Sequence, residues 1–350
     1  TDYKTLFTSN DLSGNRECIL YRKYDAAGGI THAIASYSNL AESTLNGPTS
    51  DLLKSYVLAN GRVWNNPGTV NASFNLDNMI ATRDSRFEAT FYSKPSVLNR
   101  GSYYYITKFL PRSVEKTTQV DMQGMPPAFT GDKNETDAPV LRYAEVLLNW
   151  IEAKVELEEL GGAAITQLDI DNSINTIRLR PLAPEAVAKG VSLTAPLRLD
   201  QIPADPSRDP EVSALLWEVR RERRMEFAFE IFRLADLRRW SKLEYMDNSQ
   251  NPDLITGGWV NFQTLTPNQL TPANVGKLAV VKEDGTEIIY NGTNATQMFG
   301  FYKNTANVGR LPFLNQANIN PYLTPVGLSQ IDFYASRGYK LQQTEGWPQN

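Results

Sequence analysis

Residues 217–240, WEVRRERRMEFAFEIFRLADLRRW, limit the fold more than any other stretch of this chain. They set seven arginines (Arg220, Arg221, Arg223, Arg224, Arg233, Arg238, Arg239) against five acids (Glu218, Glu222, Glu226, Glu230, Asp236), with aromatics threaded between them. No Pro or Gly interrupts the run, so a helix is the natural reading of the segment. Glu222, Glu226 and Glu230 recur every four residues and share one face of such a helix. Met225, Phe229 and Phe232 fit a buried stripe on it. Charges this dense beside aromatics need fixed partners, because an unpaired buried charge is expensive. A solvated face or a structural ion network is therefore the reading of these charges, ahead of a catalytic one.

Upstream, residues 139–162 read PVLRYAEVLLNWIEAKVELEELGG. Leu141, Ala144, Leu148, Ile151 and Val155 are spaced 3, 4, 3, 4, which marks an amphipathic helix, and Gly161-Gly162 supplies its stop. A second helix is predicted from residue 165 to about 180, with Ile170, Ile174 and Ile177 on one face and Pro181 ending it. Residues 182–210 are rich in proline and read as a long irregular connection. Beyond about residue 245 the pattern turns extended. Asp284-Gly285 between Val280-Val281 and Ile288-Ile289 is a hairpin signal.

The blocks LRYAEVLLNWIEA, IDNSINTIRLR and VRRERRMEFAFEIFRLADLRRW resemble the C-terminal signature of the SusD/RagB family, surface nutrient-binding lipoproteins of Bacteroidetes. The positions that carry the resemblance include Arg142, Tyr143, Glu145, Asn175, Arg178, Arg180, Glu222, Arg223, Arg224, Glu226, Glu230, Arg233, Asp236 and Trp240. Ile231 stands where the family usually has Gly, and Trp150-Ile151 replaces a Tyr-Ala pair; both departures read as packing positions. Segments 51–61, 83–91, 321–331 and 342–347 resemble further family blocks. The resemblance implies a mainly α fold: a TPR-like scaffold of helical pairs, a large irregular, loop-rich ligand-binding part and short β-hairpins. It divides one such domain into a loop-rich part at 1–137, the helical scaffold at 138–245, and a C-terminal irregular and hairpin part at 246–350. Family members are longer and begin with helical repeats. The opening TDYKTLF resembles the middle of such a protein, so the N-terminal part and its lipid anchor are expected to be missing.

Composition narrows the function independently. A net charge of −4 and a pI near 5.3 argue against nucleic-acid binding and against adhesion to anionic lipid. The single histidine, His32, excludes a His-pair metal site, and no Cys-x-x-Cys exists for zinc. No P-loop, dinucleotide fingerprint or nucleophile elbow is present. No cofactor and no metal are expected. Cys18 is the only cysteine, so no intrachain disulfide forms.

Aromatic content is the positive clue: 16 Tyr and 6 Trp. Sugar rings present apolar C–H faces that stack on exposed aromatics, while amides and charged groups take the hydroxyls. Trp64 in the turn-rich NGRVWNNPG and Trp259 in TGGWVNF are the first candidates for ligand contact. Tyr103, Tyr104 and Tyr105 alternate if extended, which turns at least one ring outward. Trp150, Trp217, Trp240 and Trp347 lie in signature blocks and read as structural, as do Arg142, Tyr143, Glu145, Glu222, Arg223, Arg224, Glu226, Glu230, Arg233 and Asp236. The resemblance implies a non-catalytic, cell-surface protein of the outer membrane that passes oligosaccharides to a SusC-like TonB-dependent transporter. The alternatives are a peptide-binding protein of the RagB kind, a glycoside hydrolase, and an interaction module whose only ligand is its transporter.

Overall fold

The 3–4 apolar spacing becomes the helix Tyr143–Glu159, with Ala144, Leu148, Ile151 and Val155 buried. Its C-terminus closes as the glycines require. Gly161 adopts a φ of 89°, its N–H donates to Glu158 O at 2.9 Å, and the Gly162 N–H donates to Leu157 O at 2.8 Å. Leu141 falls one element earlier, in strand β2 (Ala138–Arg142), which pairs antiparallel with β1 (Cys18–Arg22).

The structure, a computed structural model, describes residues 2–36, 47–66, 73–97, 101–115, 124–306 and 319–348. The chain divides into two compact units, Thr1–Glu226 with Thr256–Ala306, and Phe227–Ile255 with Asn307–Asn350.

In the first unit the second helical segment runs from Gln167 to Arg178 through a π-helical turn at Asp171–Asn175. A capping box between Thr166 and Asp169 opens it. Ile170, Ile174 and Ile177 are buried, as their spacing predicts. The connection after it is largely irregular but holds a short helix, Pro184–Ala188, started by its proline. Asn175 ties that connection down: its Oδ1 accepts from Leu197 N at 2.7 Å and its Nδ2 donates to Leu197 O at 3.1 Å. The helix Ala214–Glu226 packs against Tyr143–Glu159.

A four-stranded antiparallel sheet completes this unit. It contains β3 (Trp259–Asn261), β4 (Leu278–Val281), β5 (Glu287–Ile289) and β6 (Phe299–Asn304), in the order β3-β6-β4-β5. β4 and β5 form the hairpin expected from Asp284-Gly285, with Gly285 at a φ of 84°. The chain is thus helix-rich with short strands, as the sequence implies.

The single helix expected over 217–240 is two. Ala214–Glu226 ends the first unit's share, and Phe232–Arg239 belongs to the second unit. Between them Phe229 (φ 65°) and Ile231 (φ 72°) take left-handed backbone conformations that no helix continues through. Glu230 therefore leaves the face shared by Glu222 and Glu226, and Phe229 leaves the stripe begun by Met225.

Ile231 is a conformational position, not a packing one: its side chain is 92 % exposed and its backbone is left-handed. A β-branched residue is strained there, whereas glycine is not. Ile231→Gly is expected to raise stability by about 1 kcal/mol, the relief of left-handed strain exceeding the added unfolded-state entropy. An unchanged or lowered midpoint in urea unfolding would contradict this. Within the second unit, Leu237, Trp240 and Leu243 form a small core, and the guanidinium groups of Arg233 and Arg239 lie 5.7 and 4.9 Å from the Trp240 ring.

Candidate functional site

Glu222 and Glu226 lie one turn apart on the helix Ala214–Glu226, both fully buried. Glu226 accepts from Arg86 Nη1 at 3.0 Å, Arg142 Nη1 at 2.7 Å, and both terminal nitrogens of Arg180 at 2.8 Å. Glu222 accepts from Arg86 Nη2 at 2.6 Å and Arg178 Nη2 at 2.7 Å. Asp84 grips Arg86 Nε at 2.7 Å and accepts from Thr194 Oγ1. Glu17 accepts from Arg142 at 3.0 Å and Arg180 Nε at 2.7 Å. Four acids (Glu17, Asp84, Glu222, Glu226) thus meet four arginines (Arg86, Arg142, Arg178, Arg180), a balance that makes their burial tolerable. Three of these arginines come from the signature helices' ends, where the sequence placed them; Arg86 comes from the short helix Ser85–Thr90.

Burial works against the charge of Glu226, but the guanidinium groups of Arg180, Arg142 and Arg86 outweigh it and hold the carboxyl well below the usual range. Asp84 is likewise opposed by burial and lowered to about 2, from an ordinary 3.8, by Arg86 and Thr194. Both groups favour the folded state above their unfolded pKa values, and this contribution disappears as the pH falls through the folded ones. Stability is expected to decline on acidification from about pH 4.5 towards 2, Asp84 alone accounting for roughly 2 kcal/mol. Urea midpoints that stay level across that interval would contradict it.

The space adjoining this lattice, between Arg86, Arg178 and Arg180, measures about 20 Å³, room for a water molecule and no substrate. A larger hollow of about 530 Å³ lies beside Tyr143, Leu147, Ile177 and Pro181. Of its charged lining, Glu17 and Arg180 are already committed to the lattice, and Arg16 is an exposed residue outside it. His32 is held at both ring nitrogens: Nδ1 accepts from Ile34 N at 3.2 Å, which leaves Nε2–H to donate to Thr136 O at 2.8 Å.

The aromatic candidates behave differently. Trp64 meets Phe74 edge-on, with ring centroids 5.2 Å apart, and the same Phe74 lies 6.1 Å from Trp259. Trp259 in turn contacts Phe301 at 5.1 Å and Phe299 at 6.5 Å. Phe74 and Phe301 are buried and form the base. Trp64 and Trp259 are partly exposed, and Phe299 is 42 % exposed. The strand register explains the grouping. β3 and β6 set Trp259 opposite Phe301 and Asn261 opposite Phe299, so all four side chains share one face of the sheet. Lys54 Nζ sits 5.3 Å from the Trp64 ring and 4.7 Å from that of Phe301, and Lys282 Nζ sits 3.1 Å from that of Phe299.

Gly257 and Gly258 let β3 approach the tyrosine segment. A Cβ at Gly257 would lie 2.7 Å from Ser102 Cα, and one at Gly258 would overlap Cδ1 and Cε1 of Tyr104. Gly258 N–H donates to Ser102 O at 2.8 Å, and Tyr104 Oη donates to Trp259 O at 2.8 Å.

Tyr103, Tyr104 and Tyr105 are all buried, so the outward ring expected of an extended run is absent. Tyr103 has a φ of 61°, which breaks the alternation that the expectation assumed. Its ring packs on Phe262 and Tyr302, and Tyr104 supports the Trp259 backbone. Tyr103 and Tyr104 therefore support the sheet and present no ring on its surface. Among the signature residues, Arg223 donates to Asn149 Oδ1 at 2.8 Å, Arg224 pairs with Asp51, and Glu145 occupies the first turn of its helix, where the dipole favours an acid. Tyr143 and Trp150 are the exceptions, 49 % and 40 % exposed.

The sequence profile of the SusD family matches residues 21–347, and the chain belongs to that family. No curated protein matches it. Among solved structures it is similar to a SusD-like carbohydrate-binding protein of Bacteroides fragilis NCTC 9343, at 19 % identity over 83 % of this chain and 52 % of that one, TM-score 0.49. A SusD-like protein of the same organism shows 20 % identity over 99 % and 57 %, TM-score 0.49. A third, the selenomethionine form of BT4246, shows 18 % identity over 94 % and 52 %, TM-score 0.50. The chain spans about half the length of these relatives.

Proposed function

We propose that this chain is part of a non-catalytic surface protein that captures oligosaccharides, with Trp64, Trp259 and Phe299 as its stacking platform. The observation that carries the reading is the convergence of two separately predicted tryptophans on one buried ring, Phe74, with Asn261 on the same sheet face as Trp259. Rings offer flat apolar faces to sugar C–H groups, and the Asn261 amide, whose Oδ1 accepts from Gln263 N at 3.1 Å, offers its NH2 as a donor to hydroxyls. The family, and a relative described as carbohydrate-binding, support the same reading. The protein would act at the outer-membrane surface and pass its ligand to a SusC-like TonB-dependent transporter, which copurification with an outer-membrane barrel tests. The acids of the lattice are spent on arginines, which favours binding over hydrolysis.

Affinity electrophoresis against a polysaccharide panel tests the binding itself. At least one neutral or acidic glycan is expected to retard the protein, and Trp64→Ala to weaken that interaction by about 1–3 kcal/mol. Retention of a peptide mixture with no response to any glycan would replace the oligosaccharide by a peptide.

A further inference from the structure

We infer that Asp205 is a positioning residue for Trp64: its carboxylate fastens the loop that carries the indole to the helix Ala214–Glu226. The inference rests on the reading above, in which Trp64 contacts the ligand, and adds how that ring is held in place. Trp64 lies outside any helix or strand. A large ring on a loop keeps one orientation only where the chain beside it is tied to rigid elements. Two ties reach this loop from the irregular connection 182–210. Ala195 N donates to Ala59 O at 2.7 Å, and Asn65 Nδ2 donates to Ser207 Oγ at 2.9 Å. The second is made by the residue next to Trp64.

Asp205 completes the path from Ser207 to the helix. Its Oδ1 accepts from Ser207 N at 2.7 Å, while its Oδ2 accepts from Trp217 Nε1 at 2.8 Å and from Arg221. Arg221 is gripped in turn by Glu218 Oε1 at 3.1 Å, within the same helix. The Asp205 side chain is only 4 % exposed, so its charge-assisted bond to Arg221 is shielded from water. Further back the connection has anchors of its own, with Thr194 on Asp84, Ala195 O on Arg178 and Leu197 on Asn175. Asp205 holds the stretch that meets Asn65. A carboxylate suits this task because both of its oxygens accept. An amide has one accepting oxygen and could serve the helix or Ser207, but not both.

Two measurements on the whole chain test this: amide hydrogen exchange, and affinity electrophoresis in gels cast with starch, xylan, mannan or pectin. The variants are Asp205→Asn and the milder Ser207→Ala, which removes only the hydroxyl of an exposed residue. Both are expected to speed exchange of the Asn66 amide, which donates to Val63 O at 3.3 Å, by about threefold or more. The Ala59 amide, bonded to Thr82 O at 2.7 Å beside the retained Ala195 tie, is expected to exchange as in the parent. For a polysaccharide that retards the parent, Ser207→Ala is expected to weaken binding about threefold and Asp205→Asn about tenfold. In a Trp64→Ala background neither is expected to weaken it further, a coupling that general destabilisation does not produce. Unchanged exchange at Asn66, exchange raised equally at Ala59, or equal affinity losses with and without Trp64 would each overturn the role of Asp205 and leave the glycan reading standing. Retardation by none of these polysaccharides, nor by any in the wider panel, would overturn the reading and with it the role of Asp205 in binding.

Discussion

Glu226→Gln is expected to destabilise the protein by about 3–5 kcal/mol, the cost of removing one partner from a buried ion cluster. The substitution preserves volume and leaves the amide oxygen as an acceptor, so little packing is lost. What changes is charge. Arg86, Arg142 and Arg180 all point at this carboxylate, and Arg142 and Arg86 are themselves buried. With Glu226 neutral, four arginines face three acids in a largely buried region. The amide nitrogen also adds a donor where donors already converge. Glu222→Gln should follow the same direction with a smaller effect, since Glu222 faces two arginines rather than three. A Glu226→Gln protein with an unfolding midpoint within experimental error of the parent would show that the lattice contributes nothing to stability.

Gly258→Ala is expected to cost about 3 kcal/mol, the upper part of the range for overpacking a filled interior. The added methyl would enter the Tyr104 ring, which is fully buried and cannot turn aside without opening the contact beneath β3. Backbone retreat is opposed from both sides, by the Gly258 N–H bond to Ser102 and by the bond from Tyr302 N–H to Gly258 O at 2.9 Å. Because Tyr104 also holds the Trp259 carbonyl, the strain passes directly to a platform ring. The same variant should therefore lose glycan affinity, in proportion to how far Trp259 moves. A thermal midpoint equal to the parent's would contradict the packing account.

The parts legible in the sequence are those set by local periodicity. The 3–4 spacing around Leu148 and Ile151, the glycine stop at Gly161 and the Asp284-Gly285 turn each encode their geometry within a few residues. The arginine–glutamate partnership was legible in kind, since so many charges beside aromatics have few other uses. Its membership was not, because Arg86 and Glu17 join from distant segments. The break after Glu226 was hidden because the residue that bends the chain, Ile231, lacks the glycine that would announce it. The platform was half legible. Trp64 and Trp259 stand out in turn-rich surroundings, but their meeting at Phe74 is a tertiary fact. The alternation of Phe299, Phe301 and Lys303 was the one available sign of their strand. The tyrosine run misled because alternation presumes an extended backbone, which Tyr103 does not have.

The division of labour between lattice and platform can be measured in one comparison: the affinity of a retained polysaccharide for folded Glu226→Gln and for Trp64→Ala, at a temperature where both remain native. Undiminished affinity in the glutamine variant with about 1–3 kcal/mol lost in the alanine variant is the predicted result. Loss of binding in native Glu226→Gln, with Trp64→Ala unaffected, would place the ligand at the acids and contradict the account.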